Sequence, residues 1–310
     1  MQGAATLSGA IGRGRGVQFY VDRFLFLAKG MLNRPLKKER NVADLAEVFG
    51  RAGRSGARLE GRKILVTGGA GGMGRAASLL FAAEGADLAI LDIARDAGHA
   101  VAEEIRAMGR QATFLEADVS SSASVSAAVS AAEDALGHID VLFNHAGSIV
   151  VKPLHETNDD EYDRLMAVNA RSAFFVCRAV LPGMMARRRG NIVITSSING
   201  ERGFALEGVY CMSKGAVLQL ARSIAVEYRD YNIRCNAICP GFVRTAHGIR
   251  ELDALDKLGL AWEGSTLAAT QGRICEADEV AAAALFLASD DASFVNGAAL
   301  YVDNGWHARG

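Results

Sequence analysis

Proline is scarce in this sequence, with four in 310 residues, and neither sign of charge dominates: Lys and Arg number 34, Asp and Glu 35. So little proline excludes a collagen-like or proline-rich extended chain. A net charge of −1 excludes a protein held to nucleic acid by an overall basic field. Cysteine is sparse and odd in number, at 177, 211, 235, 239 and 275. Cys235 and Cys239 lie four apart in an apparent strand, with no histidine pair nearby. That excludes a disulfide framework and a metal site of familiar spacing, and it predicts reduced, mostly buried thiols in a cytoplasmic protein. No apolar run approaches the roughly 20 residues of a spanning helix. The N-terminus, MQGAATLSGAIGRGRG, has no continuous apolar core followed by a cleavage site, so no secretory leader is expected.

What is present is apolar residue, 50% of the chain, and glycine, 34 in all. A sizeable core can be buried. The chain changes character near residue 60. Residues 1–60 carry 11 Lys and Arg against 5 Asp and Glu, so the remainder is acidic. Within this basic extension Val17–Met31 mixes aromatic and aliphatic residues with Asp22, Arg23 and Lys29. Asn41 is placed to cap a short helix, and GRAGRSGARLEG reads as a linker. Three roles stay open: packing on the body or a neighbouring subunit, disorder with Met31 as a later start, or contact with an anionic membrane surface.

From residue 61 to 310 the pattern is that of a single domain. KILVTGG, ADLAILD, ATFLEADV, IDVLFNHAG, NIVITSS, NIRCNAICPG and GAALYVDNGW are short apolar runs. Helical stretches of ten to twenty residues, and one long helical region after the fourth run, separate them. Such alternation predicts a seven-stranded parallel sheet covered on both faces by helices, a doubly wound Rossmann-type fold.

The first strand runs into Thr67-Gly-Gly-Ala-Gly-Gly-Met-Gly74. A strand, a glycine turn and a helix N-terminus make an anion site, because free backbone N–H groups and the helix dipole both favour a pyrophosphate. Gly68, Gly72, Met73 and Gly74 are the expected cofactor contacts. The second strand ends in Asp92, 18 residues after Gly74 and near the spacing at which an acid meets the adenosine ribose. A carboxylate there accepts from both ribose hydroxyls and repels a 2′-phosphate, which favours NAD over NADP. Arg95, three residues on, leaves a phosphate partner in reach. Further on, YCMSK puts Tyr210 and Lys214 on one helix face. By themselves they are either a surface pair or a phenol kept near a cation.

Taken together, residues 61–306 resemble the classical short-chain dehydrogenase/reductase family. The glycine turn has the family's form, and Tyr210 and Lys214 form its Tyr-x-x-x-Lys element. Asp118 and Val119 resemble the pair that contacts adenine. Asn144-His-Ala-Gly147 stands where the family has Asn-Asn-Ala-Gly, implying that Asn144, Ala146 and Gly147 line the cofactor. Asn169 falls in the long helix, Ser197 follows the fifth strand, and Pro240, Gly241, Val243 and Thr245 belong to a loop like the one that holds the nicotinamide amide. The resemblance implies hydride transfer between an alcohol or carbonyl and NAD(P), with Tyr210 as general acid/base and Lys214 both favouring phenolate and binding the nicotinamide ribose. Ser197 would hold the reacting oxygen; its spacing from Tyr210 selects it over the adjacent Ser196. Asn169 would order a water beside Lys214, and no metal is needed. His145 departs from the family pattern and reads as a spacer or a substrate contact. Residues 246–273 would form a variable lid.

Pocket candidates beside the catalytic group are His145, Asn199, Glu201, Arg202 and Glu207. Their polarity favours a hydroxylated or acidic substrate such as a sugar or polyol, while Leu258, Leu260 and Trp262 offer an apolar alternative. The family resemblance also implies a homotetramer built on the long helices. Competing readings are an NADP-linked ketoreductase of 3-oxoacyl type and a non-catalytic dinucleotide sensor. The sensor would be expected to have lost some of Asn169, Ser197, Tyr210 and Lys214, and all four are here.

Overall fold

The computed structural model describes residues 58–260 and 265–309. The expectations for residues 1–57 and for Trp262 lie outside the described residues. Seven strands form one sheet: β1 (Lys63–Thr67), β2 (Asp87–Asp92), β3 (Ala112–Glu116), β4 (Val141–Asn144), β5 (Gly190–Thr195), β6 (Ile233–Pro240) and β7 (Ala299–Val302). Their order is β3-β2-β1-β4-β5-β6-β7, and every pairing is parallel. The central strands are unbroken apolar runs because helices cover both faces, leaving no solvent side for alternating polar residues.

Helices α1 (Gly72–Ala83), α2 (Arg95–Ala107) and α9 (Ala277–Ala288) cover one face, where Phe81, Ile90, Ile105 and Leu285 pack. Helices α3 (Ser122–Leu136), α5 (Ser172–Arg187) and α6 (Gly208–Glu227) cover the other, around Leu142, Val176, Ile192 and Leu218. Between them come α4 (Asp159–Met166) and, after β6, α7 (Ala246–Lys257) and α8 (Ser265–Thr270).

The strand order reverses at β1. In register, Thr67 pairs with both Leu91 and Asn144, so the loops after β1, β2 and β4 open along one sheet edge. A crevice forms where the chain leaves β1 towards one side and β4 towards the other, the usual ligand position in such sheets.

Three features depart from the sequence reading. The linker assigned before residue 61 ends earlier, because Leu59 is fully buried in the core against α1 and β2. The long helical region breaks at a π-helical turn, Ala167–Arg171, between α4 and α5. And the 29-residue stretch Asp159–Arg187 does contain a window apolar enough by composition to cross a membrane. Half of that window is buried within the fold, and Val176, Val180 and Met184 pack in the core, which accounts for the composition.

Candidate active site

The glycine turn is shaped by the chain passing close to itself. Gly68 has φ +69°, and a Cβ there would stand 2.9 Å from Ala146 Cα. A Cβ on Gly74 would stand 2.0 Å from Gly68 O, so no other residue fits. Helix α1 begins at Gly72 with neither a capping side chain nor an acid in its first turn. Its amides are thereby left to an anion. Thr67 braces the turn from β1: its hydroxyl donates to Asn144 Oδ1 at 3.3 Å and accepts from the amides of His145 (2.9 Å) and Ala146 (3.1 Å). At the end of β2, Asp92 accepts from the amides of Ala70 and Ala94, each at 3.0 Å. Asp118 accepts from the amide and hydroxyl of Ser120.

One turn into α6, Tyr210 is buried and its phenol hydrogen-bonds Ser197. Ser197 caps the short 3-10 turn Ile198–Gly200, accepting from the Asn199 amide at 3.2 Å. Its neighbour Ser196 instead donates to the carbonyl of Lys214 at 2.8 Å. Lys214 Nζ donates to Thr195 O at 3.0 Å and lies 5.6 Å from the centre of the Tyr210 ring. The π turn places Asn169 inward: Oδ1 accepts from the Ser148 amide at 2.7 Å, while Nδ2 donates to Ser148 O and Ser213 Oγ, both at 2.9 Å. The Asn169 oxygen and Lys214 Nζ each lie 3.4 Å from the point where a Cβ on Gly147 would stand.

Burial dominates the electrostatics. It holds the Lys214 ammonium down to about 8. His145 lies against Phe143, ring centres 5.2 Å apart, with Nδ1 3.0 Å from Thr195 Oγ1. Burial and then the Lys214 charge push its imidazole down to about 3, so it stays neutral and serves neither as base nor as charge. The phenol behaves differently from the sequence expectation. Desolvation first, then the carboxyls of Glu251 and Glu207, push Tyr210 well above the ordinary tyrosine range, opposed only by the Ser197 bond. Lysine at the next turn of the helix does not by itself make this phenol acidic.

A cleft of about 590 Å³ runs along this sheet edge. Gly68, Gly72 and Met73 line its phosphate end, and Asp92, Asp118 and Val119 its far end. Ala146, Gly147, Tyr210 and Lys214 line the middle, with Pro240, Gly241, Val243 and Thr245 opposite. An elongated cleft with a glycine cradle that any Cβ would fill, an uncapped helix start and an acid at the second strand fits a dinucleotide. Two expected cofactor residues do not form its wall. Gly74 acts through close packing on Gly68, and Asn144 turns away, Nδ2 donating to Ala173 O at 3.0 Å, to pin β4 to α5.

The substrate candidates separate. His145 lines the cleft, whereas Asn199 and Glu207 are buried behind Ser197. Glu201 is not brought to the cleft: Arg222 and the Tyr301 hydroxyl hold its carboxylate. Arg202 donates to Trp306 O at 2.8 Å, also away from the reacting group. Sequence reasoning missed His247, Arg250 and Glu251, which line the cleft from α7. The signal was available: 247, 250 and 251 share one helical face, while Leu252 and Leu255 mark the buried one.

A parallel sheet of this order with a glycine turn at its switch point belongs to the nucleotide-binding class of doubly wound folds. Comparison with known proteins narrows that class. Residues 68–307 match a family model described as Enoyl-(Acyl carrier protein) reductase. The chain is 39% identical over 252 residues to cyclopentanol dehydrogenase of Comamonas sp., covering 81% of this chain and 99% of that protein. It is 39% identical over 259 residues to 2-(R)-hydroxypropyl-CoM dehydrogenase of Xanthobacter autotrophicus, covering 80% and 99%. The crystal structure of levodione reductase superposes with a TM-score of 0.77 at 34% identity, over 81% of this chain and all of that one. The chain belongs to the classical short-chain dehydrogenase/reductase family. With the family comes the coarse activity, an oxidoreductase working with NAD or NADP.

Proposed function

We propose that the chain is an NAD-dependent dehydrogenase interconverting a secondary alcohol and a ketone or aldehyde, with Tyr210 as general acid/base. The observation that carries this reading is the convergence of Tyr210, Ser197 and Lys214 on the wall of one dinucleotide-sized cleft, with Asn169 buried beside them on Ser148 and Ser213. The relatives named for cyclopentanol and hydroxypropyl-CoM are dehydrogenases of secondary alcohols, which supports the reaction class.

When bound in the cleft, the nicotinamide supplies the hydride acceptor or donor. Tyr210 takes the proton of the substrate hydroxyl, or returns it to a carbonyl oxygen, at its phenolic oxygen. Ser197 holds that same oxygen within reach. Lys214, buried and cationic below about pH 8, stands 5.6 Å from the phenol ring, where its charge opposes that of the neighbouring acids. Asn169, locked by three hydrogen bonds, orders the polar route past Lys214. Asp92 is the ground for NAD, because no cation replaces its carboxylate at the ribose end; Arg95, its near neighbour, faces Glu116 at 3.6 Å.

His145, Arg250 and Glu251 on the wall favour a polar, hydroxylated substrate, a sugar or polyol among them. Phe174 and Met212, about half exposed on α5 and α6, suit burial in a homotetramer. Five free cysteines suit a reducing cytoplasm. A panel of sugars, polyols, hydroxy acids and steroids, read at 340 nm with NAD⁺ and with NADP⁺, tests the assignment. Turnover of a secondary alcohol with NAD⁺ supports it; no turnover on any alcohol or ketone overturns it in favour of a non-catalytic binder.

A further inference from the structure

We propose that Glu207 and Glu251 are positioning residues: their hydrogen-bonded carboxyl pair ties α7 to the start of α6 and, through Asn199, sets the direction of the Ser197 hydroxyl beside Tyr210. The proposal rests on the reading of Tyr210 as the acid/base. Glu207 is the residue before the first turn of α6, three before Tyr210, and only 2% exposed. The backbone is bent to put it there. Leu206 adopts φ +67°, a left-handed conformation unusual for leucine, and its carbonyl accepts from the Lys152 amide at 2.6 Å.

From Glu207 a chain of directional bonds reaches the reacting group. Asn199 Nδ2 donates to Glu207 Oε2 at 2.5 Å. A carboxylate accepts only, so the amide must present its NH₂ end to Glu207 and its oxygen to Ser197. The Ser197 hydroxyl donates to that oxygen at 3.1 Å and accepts from the Asn199 amide at 3.2 Å. Ser197 Oγ is thereby left with its remaining lone pair towards the Tyr210 phenol. On its other side Glu207 meets Glu251 of α7, a hydrogen bond between two carboxyls that requires one of them to carry a proton.

The titratable groups acting on this pair are Tyr210, Cys211 and Lys214, all from α6, and Lys214 in turn meets His145 after β4, His247 on α7 and Cys239 on β6. Lys152, beside Leu206, is engaged by Glu161 at 2.8 Å. Burial raises both carboxyls, Glu207 to about 7 and Glu251 well above the carboxylate range. An acid whose folded value is raised gives stability that is complete below its unfolded value and lost as pH rises through the folded one. The shared proton sits on Glu251, whose value burial and the bond to Glu207 raise, so the α6–α7 tie weakens only as pH rises through the Glu251 value, well above the carboxylate range.

Two measurements test this. In the first, Glu207→Met, which leaves the Asn199 NH₂ without an acceptor, frees the amide to turn around. Its kcat is expected to fall about 10- to 100-fold, the effect of leaving a buried polar group mispaired, with the dissociation constant for NADH unchanged. The double variant Asn199→Asp with Glu207→Gln reverses donor and acceptor, restores an oxygen facing Ser197, and is expected to recover at least tenfold of the loss. A kcat for Glu207→Met equal to wild type, or no recovery in the double variant, overturns the proposal. Tyr210→Phe is assayed alongside: activity there sinks the acid/base reading itself, which keeps the two failures distinct. The second measurement needs no turnover. Glu251→Gln keeps a donor to Glu207 at every pH, so its melting temperature relative to wild type is expected to rise as pH is raised into the alkaline range. A difference that does not change with pH overturns the shared-proton tie.

Discussion

Replacing Asp92 by Asn tests cofactor choice with a nearly isosteric change. The Asp92 carboxylate lines the cleft and accepts from the Ala70 and Ala94 amides, so one oxygen faces each backbone segment and the remaining lone pairs face the cleft. Unit charges 4 Å apart interact by ~4 kcal/mol at an effective dielectric of 20, and a 2′-phosphate carries more than one charge. The carboxyl is partly exposed, so screening leaves ~1–2 kcal/mol of repulsion against NADPH. Asn removes it, and NADPH affinity is expected to rise about 5- to 30-fold. The same change converts a charge-assisted ribose bond to a neutral one and forfeits ~1–2 kcal/mol for NADH, about 5- to 30-fold. The ratio of the two dissociation constants should therefore move by roughly 25- to 900-fold, the product of the two effects. Fluorescence titration of both reduced cofactors, at one ionic strength, reads it directly. A wild-type protein that already prefers NADPH, or a ratio that the substitution leaves in place, would refute the reasoning.

Other outcomes follow from the same geometry. Gly74→Ala puts a Cβ 2.0 Å from Gly68 O, so either the turn opens or the helix shifts; loss of ~2–3 kcal/mol of stability, read by chemical denaturation, and loss of NADH binding are expected. The His145 ring, held down to about 3, should show no protonation between pH 5 and 8 in side-chain NMR; a midpoint near 6.5 would contradict its burial against Phe143. Asn169→Ala removes three hydrogen bonds from the π turn and should cost ~2–3 kcal/mol in denaturant unfolding, with Asn169→Asp recovering part of it through the Ser148 amide.

The sheet was legible because its central strands are apolar runs with helical spacing after them, and burial on both faces leaves that pattern unmixed. The glycine turn was legible because Gly68 and Gly74 face backbone at distances that admit no side chain, a constraint written directly into residue type. The π turn was not, since nothing in AVNARSAFF breaks a helix; its cause is a side-chain network that includes Ser148 and Ser213, residues 21 and 44 positions away. The role of Lys214 was half legible. Its position one turn from Tyr210 followed from spacing, but the charge balance at the phenol depends on Glu251, which tertiary packing of α7 brings there. Glu201 and Glu207 looked alike in sequence, six residues apart in one loop. Arg222 and Tyr301 draw the first away, and a left-handed Leu206 turns the second inward.

The central claim is that the Tyr210 hydroxyl moves the substrate proton. Tyr210→Phe removes one oxygen and leaves the ring in its buried place. Stopped-flow measurement of hydride transfer, with NADH affinity and melting temperature measured on the same sample, should show the rate reduced by about 100-fold or more, as for loss of a general acid/base, with affinity and stability close to wild type. Hydride transfer at the wild-type rate would contradict the account.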